Sequence, residues 1–119
     1  MLQMLQGFLV IVILCAALVR LVQLGRLGES EKTETYMVGM HAYRFRYARV
    51  NGGWRAYILQ MPGLKGRDGS GHVTHRLYDG GKPYVCWDRP VQSLKDMQAI
   101  SHVWSRNIQT YIDTGKRFG

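Results

Sequence analysis

An α+β fold, antiparallel strands followed by one helix, is what three stretches of this 119-residue chain predict. Asn51-Gly52 stands between two runs of alternating character, a second turn pair, Gly80-Gly81, stands between two shorter runs, and a capped segment with apolar residues at helical spacing closes the chain. The full expectation is a single N-terminal transmembrane helix over residues 1–26, a polar linker over 27–35, and a small basic domain over 36–119. In that domain a four-stranded antiparallel β-meander carries one C-terminal amphipathic helix on its apolar face.

The transmembrane reading rests on residues 7–19, GFLVIVILCAALV, extended back to Leu2 with only Gln3 and Gln6 interrupting. About 18 such residues suffice for a helix to cross hydrocarbon, and the membrane contact is expected over residues 2–24. A cleaved signal peptide fits less well, because no cationic residue precedes the run and apolar sequence follows Cys15-Ala16-Ala17. Leu14 stands where a lipoprotein would carry a small residue before its cysteine. Arg20 and Arg26 follow the run while nothing basic precedes it, which places the C-terminal domain in the cytoplasm. Cys15 in the run and Cys86 in the domain cannot pair within the domain, in keeping with a reducing compartment. Residues 27–35 are polar and mixed in charge, as a linker would be.

From residue 31 onward, 14 Lys and Arg oppose 7 Asp and Glu, a net charge of +7. Such an excess favours anionic partners, namely an acidic protein surface, anionic lipid or nucleic acid.

In the first hairpin, Asn51-Gly52 supplies the two positive-φ residues of a type I′ turn. Val50 then opposes Gly53, Tyr47 opposes Ala56, Arg46 opposes Tyr57 and Phe45 opposes Ile58. One face collects Tyr43, Phe45, Tyr47, Trp54, Ala56 and Ile58. The other collects Arg44, Arg46, Arg55 and Tyr57, with Leu59 at its edge. A slip of one residue would mix the two sets, so their separation supports the register.

Pro62 ends the second strand, and residues 63–71, GLKGRDGSG, form a glycine-rich loop. Lys65, Gly66 and Arg67 make it a candidate phosphate-binding loop, although its spacing matches neither G-x-x-x-x-G-K-S/T nor a strand-fed G-x-G-x-x-G, and a plain connection is the simpler account. The second hairpin is expected to run from His72 to Trp87 around Gly80-Gly81, which sets His75 across from Cys86. That pair resembles a thiol nucleophile with its base, yet no third group orients it. His72 and His75, three apart on a strand, would face opposite ways and cannot share a metal ion. No metal, cofactor or catalytic residue is therefore expected.

The last element opens on Ser93-Leu94-Lys95-Asp96, an N-cap with an acidic residue at N3, and stops at Gly115. Leu94, Met97, Ile100, Trp104, Ile108, Tyr111 and Ile112 form its apolar stripe, while Lys95, His102, Arg106, Gln109 and Asp113 take the wet side.

This order of sheet then helix, with arginines and aromatics on the open face, is similar to the small DNA-binding modules of the plant AP2 and integrase arm-binding type. The likeness is architectural and covers residues 54–115. It implies that Arg44, Arg46, Arg55, Tyr57 and Arg76 would enter a groove. Three functions follow. The first is a non-catalytic, single-pass anchored binding or assembly subunit, able to homo-oligomerise, presenting its cationic face to an acidic partner or anionic lipid. The alternatives are a tethered nucleic-acid-binding module and a small thiol enzyme using Cys86 and His75.

Overall fold

The computed structural model describes residues 31–118. The anchor expected over residues 1–26 lies outside the described residues, as does the linker as far as residue 30. Among the described residues no helix is long and apolar enough to cross a membrane.

The elements are β1 (Glu31–Val38), β2 (His41–Val50), β3 (Gly53–Gln60), the one-turn helix α1 (Gly71–Thr74), β4 (Arg76–Asp79), β5 (Lys82–Val85) and the long helix α2 (Leu94–Thr114). The fold is α+β, and its antiparallel sheet has five strands among the described residues, in the order β1-β2-β3-β5-β4. Both features correct the expected four-stranded meander. Residues 31–35, expected as linker, pair with β2 in the register Glu31 to Ala48 through Val38 to His41. The strand escapes a hydrophobic pattern because its core-side position 34 is a carboxylate. Glu34 accepts hydrogen bonds from Gln98 Nε2 at 2.8 Å and Tyr47 Oη at 3.5 Å, and it pairs with His102. A buried-side charge with three partners does not read as core in sequence.

The first hairpin has the expected register, with Phe45, Arg46, Tyr47 and Val50 opposite Ile58, Tyr57, Ala56 and Gly53. Asn51 and Gly52 hold φ of 50° and 79°, as a type I′ turn requires. After β3 the chain runs outward through residues 61–75, so β4 forms the far edge and β5 returns against β3 by pairing Tyr84 with Tyr57. Where a strand was expected from His72, α1 forms instead, and His75 leaves it in the left-handed region at φ 53°. The Gly80-Gly81 turn does set His75 opposite Cys86, whose N–H donates to the His75 carbonyl at 2.9 Å.

Helix α2 packs across one face of the sheet. Ser93 Oγ accepts from the Asp96 N–H at 3.1 Å, and Gly115, at φ 78°, closes the helix by donating to the Tyr111 carbonyl. Between these caps Met97, Trp104, Ile108, Tyr111 and Ile112 are buried against Tyr43, Phe45, Tyr47, Ala56 and Ile58. Trp104 meets Tyr43 and Phe45 edge-on, each at 6.0 Å between ring centroids. Ser101 and Ser105 are fully buried on the same face, and Gln109 is 4 % exposed. Gln109 and His102 thus depart from the wet side expected for them: Gln109 accepts from Tyr43 Oη at 2.6 Å, and His102 stacks on Tyr36 at 3.9 Å. The helix face is turned toward the two tyrosines because their hydroxyls need polar partners once buried.

Burial, followed by the nearby charge of Asp113, raises the Tyr43 phenol well above its usual range; burial is also the main cause for Tyr47, where the hydrogen bond with Ser101 opposes it and Glu34 adds to it. A phenol raised on folding stabilises the protein fully below its unfolded pKa near 10, and this contribution falls as pH rises beyond it. Each phenol should therefore steepen the alkaline loss of stability by about 1.4 kcal/mol per pH unit above roughly pH 10. Urea titrations from about pH 9 to about pH 12 are expected to show Tyr43→Phe flattening that limb by one such increment.

Candidate functional site

The sheet face opposite α2 carries Arg44, Arg46, Arg55 and Tyr57, as the register requires, and is not covered by another described element. The residues that hydrogen-bond across β2, β3 and β5 place Arg46, Tyr57 and Tyr84 in one row. Arg46 Cζ lies 4.7 Å from the Tyr57 ring centroid, and Arg55 Cζ lies 4.0 Å from that of Tyr84. Tyr57 and Tyr84 meet edge-on at 5.9 Å. The result is a ladder of two arginines on two tyrosines, in which each guanidinium is attracted by ring faces and shielded in part from water.

Two carboxylates hold the ladder in place. Arg46 Nη1 donates to Glu31 Oε1 at 3.1 Å, and Arg55 Nη1 donates to Asp79 Oδ2 at 3.2 Å and to Tyr57 Oη at 3.1 Å. Tyr57 Oη in turn donates to Asp79 Oδ2 at 3.3 Å. With Lys82 opposite Asp79 on the same face, four cations (Arg44, Arg46, Arg55, Lys82) stand against two carboxylates (Glu31, Asp79), a net of +2. Arg44 is exposed and has no carboxylate within salt-bridge distance among the described residues. Tyr57 is only 7 % exposed, so its ring faces are taken by protein.

Tyr84 is the member that sequence reasoning missed. Its signal was present in the alternation of the second hairpin, but assigning its face needed the β3–β5 pairing, which no local pattern encodes.

Other expected site residues fall elsewhere. Arg76 opposes Val85, which is buried on the helix side, so it stands on the opposite face from the ladder. There it fastens the 61–75 segment by donating from Nη2 to the Gly69 carbonyl and from Nε to Thr74 Oγ1, each at 2.9 Å. Lys65, Gly66 and Arg67 do not form an open anion cradle. Arg67 Nε donates to the Ile112 carbonyl at 2.9 Å and Lys65 Nζ lies 3.7 Å from Asp113, so both cations serve the negative end of α2. A Cβ on Gly115 would come within 2.6 Å of Arg67 Nη1, which shows how closely that guanidinium covers the helix end.

Cys86 and His75 line an apolar groove of about 400 Å³ together with Val85, Trp87, Ile100 and Phe118. The His75 ring stacks on Phe118 at 4.5 Å, and no hydrogen bond joins it to the Cys86 thiol among the described residues. Trp87 is half exposed at the groove's mouth. Among the described residues no cluster of three or more His, Cys, Asp or Glu is placed to hold a metal ion.

No protein-family model, curated protein or solved structure matches this chain.

Planarity matters in the ladder as much as charge does. Arg55→Lys keeps the cation but loses the stacked guanidinium on Tyr84, and it is expected to lower stability by about 0.5–1 kcal/mol in a urea titration.

Proposed function

We propose that this protein is a non-catalytic binding subunit, tethered to a membrane through residues 2–24 with its domain in the cytoplasm, that engages an acidic protein surface through the open face of its sheet. The observation that carries the reading is the Arg46–Tyr57–Arg55–Tyr84 ladder beside the exposed Arg44. Arginines held flat by aromatic rings keep their N–H edges aimed and give up little side-chain entropy on binding, which suits bidentate recognition of carboxylates. Glu31 and Asp79 already occupy part of that recognition surface, and an acidic segment of a partner would extend the same chemistry to Arg44.

The ladder favours a protein over a nucleic acid. Base recognition on an open sheet uses free aromatic faces, whereas Tyr57 is buried between arginines and its hydroxyl is bonded to Asp79. A net charge of +2 over this face is also modest for a phosphate backbone. The apolar run at residues 7–19, with arginines following it, supports the tether and its orientation.

The full chain reconstituted in neutral-lipid nanodiscs should bind a fluorescent poly-glutamate peptide, with affinity falling as salt rises, and Arg44→Ala/Arg46→Ala should weaken that binding about tenfold. Unchanged binding in the double variant would refute the assignment of this face, while tighter binding to a DNA duplex at the same ionic strength would move the reading to nucleic acid. Separately, a reporter fused after Gly119 is expected to read as cytoplasmic; an external signal would overturn the orientation.

A further inference from the structure

Strand β1 is an edge, and apart from the charges of Glu31, Lys32 and the inward-pointing Glu34 it lacks the devices that usually guard one. It runs eight residues without proline or bulge, and among the described residues its outer side has no strand partner. A row of free N–H and C=O groups of that length is a template for another strand. The direction of those groups follows from the turn. Gly39-Met40 is a two-residue turn closing on the pair Val38 and His41, which exchange both hydrogen bonds in such a hairpin. Backbone groups alternate sides along a strand, so Glu31, Thr33, Thr35 and Met37 aim theirs outward.

We infer that β1 pairs antiparallel with β1 of a second copy of this chain, centred on Thr33, joining two five-stranded sheets into one of ten strands. Charge selects the register. Of the outward-aiming positions, centring on residue 31 would set Glu31 against Glu31, like charges directly opposite, and centring on residue 35 would set Glu34 against Tyr36 and Lys32 against Val38, with no ion pair. Centring on Thr33 instead sets Lys32 of each copy opposite Glu34 of the other, two complementary pairs related by the twofold axis. Lys32 is exposed and has no carboxylate within salt-bridge distance among the described residues, so it is free for this role.

The same register has a consequence on the open face. Thr33 opposes Arg46, which opposes Tyr57, which opposes Tyr84. Placing Thr33 against Thr33 therefore brings the two arginine–tyrosine rows into line, with the Arg46 positions three strand spacings apart, about 14 Å. One acidic segment would meet both copies at once. The pairing itself does not rest on the acidic-partner reading, since peptide binding by Arg44 and Arg46 needs only one copy.

The test uses the full chain in detergent with Cys15 and Cys86 replaced by Ser. Opposed hydrogen-bonded residues have Cα atoms about 5.5 Å apart, within disulfide range. Thr33→Cys should thus give a cross-linked dimer under mild oxidation, and Thr35→Cys much less. In sedimentation the unmodified chain should be dimeric, and Lys32→Glu, an exposed position, should raise the dimer dissociation constant about tenfold. A monomeric wild type, a dimer indifferent to Lys32→Glu, or cross-linking at residue 35 in preference to 33 would each overturn the proposal. Loss of peptide binding with an intact Thr33 cross-link would strike only the acidic-partner reading.

Discussion

Everything in the domain is arranged by how one helix sits on three tyrosine-bearing strands. Tyr43 and Tyr47 are fully buried, and their hydroxyls are met by Gln109 and Ser101 on α2, each at 2.6 Å. Two phenols sealed from water are costly unless bonded, so these contacts set both the rotation of the helix and its position along the sheet. The small Ser101 and Ser105 let the helix approach the rings closely. Trp104, wedged edge-on against Tyr43 and Phe45, then reaches past the sheet to donate from Nε1 to the Thr74 carbonyl, which ties the one-turn helix into the same core.

With one face of the sheet committed to the helix, the other face is left to make its own order. The arginines there do not float in solvent as a bare positive patch. Arg46 and Arg55 lie on Tyr57 and Tyr84 and are held by Glu31 and Asp79, Arg44 stands exposed beside them, and the face is only mildly cationic. Both holding carboxylates come from the sheet's edge strands, Glu31 from β1 and Asp79 from the end of β4, and the face is complete only when all five strands are in place.

The first hairpin and the caps of α2 were legible in the chain because each is local. Asn51-Gly52 specifies a turn, and the alternation around it specifies which residues share a face; Ser93 and Gly115 mark helix ends by chemistry that acts within one turn. Strand β1 was not legible, since its core side carries Glu34, a half-buried carboxylate whose partners Gln98, Tyr47 and His102 are brought to it from 13 to 68 residues away. Arg76 and Arg67 were misplaced for a related reason. Both look like surface cations in sequence, yet each caps backbone carbonyls of a segment whose position is set by the whole fold.

The chain by itself determined the pieces that a few neighbouring residues can enforce: two tight hairpin turns, the pairing of β2 with β3, a capped amphipathic helix, and a sheet side rich in arginine. Tertiary structure alone decided the strand order, the fifth strand, and which cations meet on one surface. Those outcomes depend on pairings between distant segments, such as Tyr57 with Tyr84, and on whether a buried polar group finds its partner. Periodicity reports which side of an element is apolar; it carries no record of what that side will face.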